Sequence, residues 1–300
     1  MSTPAERYAA AKLRGQHPIT TEFIQTFEFE FDQFQITACH AVEDGKGVLV
    51  AAPTGAGKTV VGEFAAYYAL QAGKKCFYTT PIKALSNQKY SEFVAKFGED
   101  RVGLLTGDTS INGEAEILVM TTEVLRNMLY AGSSTLTNLG CVVMDEVHYL
   151  ADKFRGAVWE EILIHLPERI QIVSLSATVS NAEEFGDWLK TVRGETEVVL
   201  SEIRPVPLYQ HILIGNRILD LFVDEGRVNP EILRIEKNSI KKVPGGSKSW
   251  KESKFSSIKS LTRPEIVEKL SERGFLPAIF FIFSRAGCDG AVSSCIREGL

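Results

Sequence analysis

The sequence predicts an α/β fold with a doubly wound parallel sheet, and three observations support this. Short apolar runs with little polar alternation recur between residues 48 and 200, as expected of strands that are buried on both faces of a parallel sheet. Stretches with a helical pattern separate these runs, which gives the alternation of strand and helix that is typical of this fold class. A glycine-rich segment joins the first run to the helix that follows it. Ligands of such folds bind beyond the carboxyl ends of the strands.

The individual elements follow from the same patterns. The apolar runs predict strands at 48–51, 76–79, 102–105, 117–120, 141–144, 170–174 and 198–200. The stretches between them predict helices at 58–71, 82–97, 123–130, 158–166 and 182–189. After residue 200 the regular alternation of strand and helix ends. There the pattern predicts strands at 208–214 and 218–223, a turn at 224–226, a helix at 264–273 and a buried strand at 278–283.

The composition is that of a folded protein with a sizeable core. The chain has 300 residues, of which 44% are hydrophobic and 24% are charged. No apolar run reaches the roughly 18 residues of a membrane span, and the amino-terminal residues have no apolar signal-peptide core, so we expect a cytoplasmic protein without a membrane partner. The five cysteines form no CxxC pair, which indicates a reducing compartment and argues against a zinc ribbon. The net charge of −5 excludes a uniformly basic coat protein, but a local groove can still be positive.

A phosphate-binding loop is predicted at residues 52–59, which read Ala-Pro-Thr-Gly-Ala-Gly-Lys-Thr between a strand and a helix. Gly55 and Gly57 allow the backbone to curl so that its N–H groups point at phosphate oxygens. Lys58 is expected to reach the β- and γ-phosphates of ATP, and the hydroxyl of Thr59 to bind Mg²⁺. An ordinary glycine-rich turn is the alternative. The candidate nucleotide-binding residues of this segment are Pro53, Thr54, Gly55, Ala56, Gly57, Lys58 and Thr59.

An acidic pair follows the apolar run 141–144 at the carboxyl end of a predicted strand. Asp145 is expected to hold Mg²⁺ together with Thr59, and Glu146 to orient or deprotonate the water that attacks the γ-phosphate. Asp145, Glu146 and Lys58 are therefore the candidate catalytic residues. His148 lies too far along for the metal and is expected to couple the nucleotide state to Ser-Ala-Thr at 176–178. The alternative is that the acidic pair caps the next helix.

Six more short segments lie before, between and after the phosphate loop and the acidic pair along the sequence. Residues 81–89 (PIKALSNQK), 106–108 (TGD) and 120–123 (MTTE) are small, polar, helix-starting segments that suit phosphate binding, although each alone is also typical of a turn or an N-cap. Together with 29–35 (FEFDQFQ), 176–178 (SAT) and 281–285 (FIFSR), they resemble the motifs of superfamily-two DExH-box helicases, and among these the superkiller-like RNA helicases. The resemblance covers most of the chain, from Phe27 to Arg285.

The resemblance implies a RecA-like fold of the P-loop NTPase type, followed by the start of a second RecA-like domain. It also implies that Gln35 reads the adenine edge and that Phe29 stacks on the ring, whereas Phe31 and Phe34 are expected to be core strand positions. The residues that it assigns to the coupling of hydrolysis with strand separation are His148, Ser176 and Thr178. The residues that it assigns to nucleic-acid binding are Pro81, Lys83, Gly107, Asp108, Thr121, Thr122, Ser284 and Arg285.

Residues 145–161 (DEVHYLADKFRGAVWEE) match the superkiller-like type and favour RNA over DNA as the substrate. The short lead before residue 29 resembles actinobacterial members of the family. The resemblance also implies RNA-degradation machinery as a partner, since members of the family often work with it. The family's motifs V and VI, which supply phosphoryl-stabilising arginines, are not found before Leu300. The chain therefore looks like the amino-terminal part of a helicase.

The predicted organisation is a RecA-like ATP-binding domain at 1–207, a β extension at 208–236, a basic flexible linker at 237–262 and the start of a second RecA-like domain at 263–300. The predicted function is an ATP-dependent RNA helicase that uses ATP and Mg²⁺. Two alternatives stay open. One is a DNA helicase or translocase, and the other is that the 300 residues alone form a nucleotide- and RNA-binding module with negligible turnover.

Overall fold

A computed structural model of the protein describes residues 15–151, 156–177, 182–224, 226–240 and 261–300. The chain divides into two compact units, Met1–Val206 and Pro207–Leu300. The strands of the first unit are β1 (Gly47–Ala51), β2 (Lys75–Thr80), β3 (Val102–Leu105), β4 (Ser110–Ile111), β5 (Ile117–Thr121), β6 (Leu139–Met144), β7 (Gln171–Ser176) and β8 (Thr196–Leu200). Its helices are α1 (Pro18–Ile24), α2 (Gln33–Glu43), α3 (Thr59–Gln71), α4 (Lys83–Phe97), α5 (Thr122–Ala131), α6 (Gly156–His165) and α7 (Ala182–Arg193).

One eight-stranded sheet forms the centre of the first unit, in the order β4-β3-β5-β2-β6-β7-β1-β8. All neighbouring strands are parallel except the short β4, which runs antiparallel to β3. The predicted fold class is confirmed as a RecA-like doubly wound sheet. The seven predicted strands of this unit are present with ends that lie within two residues of the prediction, and the five predicted helices are also present.

Two hydrophobic cores cover the two faces of this sheet, because successive strand residues point to opposite sides. Val48 and Val50 of β1 join the core under α2 and α3, where Phe64 is fully buried. Leu49, between them in sequence, joins the opposite core together with Trp159 of α6. Burial on both faces explains why these strands read as continuous apolar runs.

The described residues before β1 form the helices α1 and α2, and residues 29–35 do not form a strand. Phe34 lies in α2 and Phe31 precedes it, so the expectation that they are core residues is confirmed, whereas the expectation that they are strand residues is wrong. The physical reason is a local helix start. The side-chain Oε1 of Gln35 accepts a hydrogen bond from the backbone N–H of Asp32 at 2.8 Å, which satisfies a donor that precedes the first turn.

The described residues of the second unit form two hairpins and three helices. β9 (His211–Ile214) pairs antiparallel with β10 (Arg217–Asp220), and β11 (Phe222–Asp224) pairs antiparallel with β12 (Arg227–Val228). The predicted hairpin at 224–226 is therefore present, although Glu225 itself lies outside the described residues. The helices are α8 (Pro230–Ile240), α9 (Arg263–Glu272) and α10 (Arg285–Arg297).

Three expectations for the second unit need correction. The predicted β extension, 208–236, is β only as far as Val228, since α8 begins at Pro230. The predicted linker begins with Lys237, but this residue belongs to α8, and residues 241–260 lie outside the described part of the chain. The segment 278–283 is not a buried strand. Ile279 and Phe281 are 83% and 82% exposed, and within the described ranges no strand pairs with this segment to bury it.

Among the described residues, no helix combines the length and the apolar character that crossing a membrane requires.

Candidate nucleotide and nucleic-acid site

The predicted phosphate loop connects β1 to α3 at the carboxyl edge of the sheet. Gly55 and Gly57 have φ values of 85° and 84°, in the left-handed region where residues with a Cβ are strained. The Lys58 ammonium turns back over the loop and donates to the carbonyl oxygens of Ala52 at 2.7 Å and Pro53 at 3.0 Å. Its position at the start of α3 allows it to exchange these carbonyls for phosphate oxygens.

The acidic pair lies at the end of β6, between β2 and β7. The backbone N–H of Asp145 donates to the carbonyl of Thr79 at 2.9 Å. Its Oδ1 accepts from the backbone N–H of Glu146 at 2.9 Å, and its Oδ2 accepts from the hydroxyl of Tyr78 at 2.8 Å. Both carboxylate oxygens are therefore fixed in orientation. Glu146 has a φ of 56°, a strained backbone conformation of the kind that clusters at functional sites.

The environment shifts the ionisation of all three candidate catalytic residues. Burial lowers the pKa of Lys58, and the nearby carboxylates of Glu146 and Asp145 oppose that change. Burial raises the pKa of Asp145, against the hydrogen bond from Tyr78 and the charge of Lys89. Burial, together with the charge of Asp145, raises the pKa of Glu146. A carboxylate with a raised pKa is a stronger base, which suits the proton transfer predicted for Glu146.

His148 connects the acidic pair to the end of β7. Its Nδ1 lies 3.2 Å from Oε2 of Glu146 and 3.5 Å from the backbone N of Ala177. One ring nitrogen cannot serve both partners at the same time, because it must carry a proton to donate to Glu146 and must lack one to accept from Ala177. The Oγ of Ser176 is buried without a hydrogen-bond partner in the described part of the chain. Thr178 lies outside the described residues.

Sequence reasoning missed two residues that the fold brings to this site. Lys89 of α4 is 9% exposed, and its Nζ lies 3.3 Å from Oγ1 of Thr59 and 2.6 Å from Oε2 of Glu92. The buried Tyr78 of β2 is the second, through its bond to Asp145. Lys89 belongs to the segment 81–89, which the family resemblance assigns to nucleic acid. The sequence holds no signal for either contact, since both depend on helix and strand packing.

The segment around Gln35 packs against the phosphate loop. Gln35 is 3% exposed, and its Nε2 donates to the carbonyl oxygen of Gly57 at 3.0 Å while its Oε1 accepts from Asp32. The amide thus ties the amino-terminal segment to the loop. Phe29 is 53% exposed, and its ring lies 5.7 Å from that of Phe31, nearly parallel to it. An exposed ring is available for stacking.

The residues predicted to contact nucleic acid in the first unit gather at one stretch of the sheet edge. They follow β2, β3 and β5, which are neighbours in the sheet. Lys83 begins α4 and donates to Oδ2 of Asp108, whose Oδ1 accepts from the Thr106 hydroxyl at 3.0 Å. The hydrogen bond from Lys83 lowers the pKa of Asp108 most, and the hydrogen bond from Thr106 lowers it further. The residues at this edge are Pro81, Lys83, Gly107, Asp108, Thr121 and Thr122.

Two of these residues start α5. The hydroxyl of Thr122 donates to the carbonyl of Thr80 at 3.1 Å, which joins the end of β2 to the start of that helix. Thr121 precedes the first helical residue. The amino ends of α4 and α5 thus follow adjacent strands, and both present backbone N–H groups of the kind that bind phosphate.

Ser284 and Arg285 belong to the second unit. The Oγ of Ser284 accepts from the backbone N–H of Gly287 at 2.9 Å and so caps α10, and Arg285 is the first residue of that helix. Their predicted contact with nucleic acid stays a prediction.

The profile of the DEAD/DEAH box helicase family matches residues 32–185, just over half of the chain. The chain belongs to the DEAD/DEAH box helicase family. The matched residues include the phosphate loop, the acidic pair and His148.

The curated relatives of this chain include helicases, and some of them carry the DExH-box name that the motifs led us to expect. The probable helicase HelY of Mycobacterium leprae is 56% identical over 93% of this chain and 32% of its own length. The chloroplastic DExH-box ATP-dependent RNA helicase DExH15 of Arabidopsis thaliana is 41% identical over 90% of this chain and 26% of its own length. The ATP-dependent RNA helicase mtr4 of Schizosaccharomyces pombe is 40% identical over 88% and 25%. The chain thus spans about a third or less of the length of these relatives.

Solved helicase structures share the fold. The DUF1998 helicase MrfA superposes with a TM-score of 0.61 over 94% of this chain and 40% of that chain, at 17% sequence identity.

The helicase family implies ATP and Mg²⁺, and the residues at the site fit both. Mg²⁺ prefers oxygen ligands and is usually held by one or two carboxylates together with substrate phosphates. The hydroxyl of Thr59 and the carboxylate of Asp145 provide such ligands beside the phosphate loop. Within the described ranges, no group of three or more His, Cys, Asp or Glu side chains could hold a metal ion by itself. A hydroxyl and one carboxylate beside a phosphate loop suit a cation that nucleotide phosphates help to bind.

The contact between Gly57 and Gln35 gives a direct test of the loop geometry. A Cβ on Gly57 would lie 2.6 Å from Nε2 of Gln35, whereas a Cβ on Gly73, which also has a positive φ, would contact nothing within 4 Å. We expect Gly57→Ala to lose ATP affinity and to lower the free energy of unfolding by more than Gly73→Ala, whose cost is the backbone strain of about 1–2 kcal/mol. Chemical denaturation and binding of a fluorescent ATP analogue measure both quantities. Equal effects of the two substitutions would contradict the contact.

Proposed function

We propose that this chain is the ATP-binding part of an ATP-dependent RNA helicase, in which hydrolysis of Mg²⁺-bound ATP drives movement along RNA. The observation that carries the proposal is the convergence of Lys58, Asp145 and Glu146 at one sheet edge, with His148 joining them to the end of β7. The family membership supports helicase chemistry, and relatives named as RNA helicases support RNA as the substrate.

Each residue has a role that its geometry suits. We propose that Lys58 leaves the carbonyls of Ala52 and Pro53 to bind the β- and γ-phosphates. Thr59 and Asp145 would hold Mg²⁺, which supplies neutralisation of phosphate charge when it is bound. Glu146 would accept a proton from the attacking water, and its raised pKa favours that transfer.

We further propose that His148 reports on Glu146. When Nδ1 carries a proton it donates to Glu146, and when it lacks one it accepts from the N–H of Ala177. A change of charge on Glu146 during hydrolysis would change which of these two contacts is favoured. This alternation would couple the nucleotide site to the Ser-Ala-Thr segment, in which Ser176, Ala177 and Thr178 follow one another.

The proposal extends to the compartment and the partners of the whole protein. We propose a cytoplasmic role in RNA processing with RNA-degradation machinery as a partner, which the name of the mouse relative, exosome RNA helicase MTR4, favours. We also propose that the 300 residues alone hydrolyse ATP slowly, because arginines of motifs V and VI are not identified in this sequence.

The substitution Glu146→Gln tests the role of the acidic pair in the whole protein. We expect it to retain ATP binding but to lower turnover by about 10²–10⁴, since the amide cannot accept the proton from water. Glu184→Gln, at an exposed position of α7, is the matched control and should leave turnover unchanged. Steady-state phosphate release measures the rates. Turnover of Glu146→Gln that is close to wild type would refute the assignment.

The extent to which each nucleic acid stimulates ATP hydrolysis distinguishes RNA from DNA as the substrate. We expect single-stranded RNA to stimulate more strongly than single-stranded DNA of the same sequence. The reverse order would favour the DNA helicase, for which the solved structure of the DUF1998 helicase MrfA bound to DNA provides a precedent at the level of fold.

The pairing of Lys83 with Asp108 makes a prediction about RNA binding. Asp108→Asn should tighten binding of single-stranded RNA, because it removes a negative charge from the sheet edge and frees Lys83 for phosphate. Lys83→Met should weaken binding and reduce the slope of log affinity against log salt by about 0.7, the value for one lost phosphate contact on a single strand. Fluorescence anisotropy at several salt concentrations measures both. An unchanged affinity in both variants would remove this edge from the proposed RNA site.

A further inference from the structure

A buried tyrosine outside every motif contacts the candidate metal carboxylate. Tyr78 lies in β2, is fully buried, and donates its hydroxyl hydrogen to Oδ2 of Asp145 at 2.8 Å. β2 is the neighbour of β6, so the register of the sheet brings this side chain to the strand that ends in Asp145. The contact thus depends on the fold and not on proximity in sequence.

The packing around the ring fixes where the hydroxyl points. Gly62 of α3 stands directly over it, and a Cβ at that position would lie 2.8 Å from Cε2 of Tyr78. The ring of Phe93 from α4 meets it edge-on, with centroids 5.1 Å apart and an interplanar angle of 85°. The helix that follows the phosphate loop and the helix that carries Lys89 therefore both contact the tyrosine ring.

The chemistry of this hydrogen bond suits the orientation of a metal ligand. The phenol hydroxyl is the donor of this bond and the carboxylate oxygen is its acceptor. The hydroxyl occupies one lone pair of Oδ2, and the N–H of Glu146 occupies one lone pair of Oδ1. Each carboxylate oxygen keeps a further lone pair in a fixed direction.

We propose that Tyr78 is a positioning residue that holds the Asp145 carboxylate in its metal-binding orientation through the hydroxyl–carboxylate hydrogen bond. The inference rests on the proposed function, since it assigns a residue to the Mg²⁺ side of the same site. Partners of this kind, which hydrogen-bond to a metal ligand, typically change metal affinity about 10- to 100-fold when they are removed.

The substitution Tyr78→Phe tests the inference because it removes the hydroxyl and keeps the ring that Gly62 and Phe93 contact. Tyr68→Phe is the matched control, since Tyr68 belongs to α3 and its hydroxyl donates to the carbonyl of Glu43 at 3.2 Å, away from the acidic pair. Binding of a fluorescent ATP analogue to the full chain is titrated with Mg²⁺ and, separately, measured in EDTA. The ratio of the two affinities within one variant is insensitive to the fraction of protein that is folded.

We expect Tyr78→Phe to need about 10- to 100-fold more Mg²⁺ for half-maximal enhancement of binding. Its affinity in EDTA should equal that of the wild type, and Tyr68→Phe should match the wild type in both conditions. A Mg²⁺ requirement of Tyr78→Phe equal to that of the wild type overturns the inference while leaving the proposed function in place. A wild-type chain whose nucleotide binding does not respond to Mg²⁺ overturns both.

Discussion

The parallel pairing of β2, β6, β7 and β1 is the constraint on which the rest of the site depends. Because parallel strands end at the same sheet edge, this order places the phosphate loop after β1, the acidic pair after β6 and the Ser-Ala step after β7 within reach of one another. Each strand contributes one or two polar residues just beyond an apolar run. The apolar cores on both faces keep these positions rigid, so the polar groups meet with little freedom to rearrange.

Polar side chains within the site mostly hydrogen-bond to other groups of the chain. Lys58 donates to loop carbonyls, Gln35 to the carbonyl of Gly57, and Lys83 to Asp108. These contacts satisfy buried or charged groups that would otherwise be costly to leave unpaired. In the proposed nucleotide-bound and RNA-bound states, phosphate oxygens would replace carbonyl or carboxylate oxygens of the chain as hydrogen-bond partners.

The sequence predicts most of the first unit because burial on both faces of a parallel sheet leaves a strong signal. Strands such as β1 and β6 read as unbroken apolar runs, and the glycines of the phosphate loop mark the turn that follows β1. The prediction of secondary structure is wrong where a local hydrogen bond or the lack of neighbouring strands outweighs the apolar pattern. The short alternation around Phe31 and Phe34 favours a strand, whereas the capping contact between Asp32 and Gln35 starts a helix. The apolar segment 278–283 has the pattern of a buried strand, but a strand is stable only with neighbours that the pattern of one segment cannot reveal.

Residues that act through packing are the hardest to find from sequence. Tyr78 sits in an apolar run and looks like any core aromatic, and only the register of β2 against β6 brings its hydroxyl to Asp145. Lys89 belongs to a segment assigned to nucleic acid, and only the folded chain places its ammonium beside Thr59. The sequence identifies Glu146, but not its left-handed backbone or its contact with His148.

A crystal structure of the chain with a non-hydrolysable ATP analogue and Mg²⁺ tests the central claim most directly. We predict that the triphosphate lies along residues 52–59, that Lys58 has left the carbonyls of Ala52 and Pro53 for phosphate oxygens, and that Asp145 faces the metal while it still accepts from Tyr78. A nucleotide bound elsewhere, with Lys58 still on those two carbonyls, would contradict this claim.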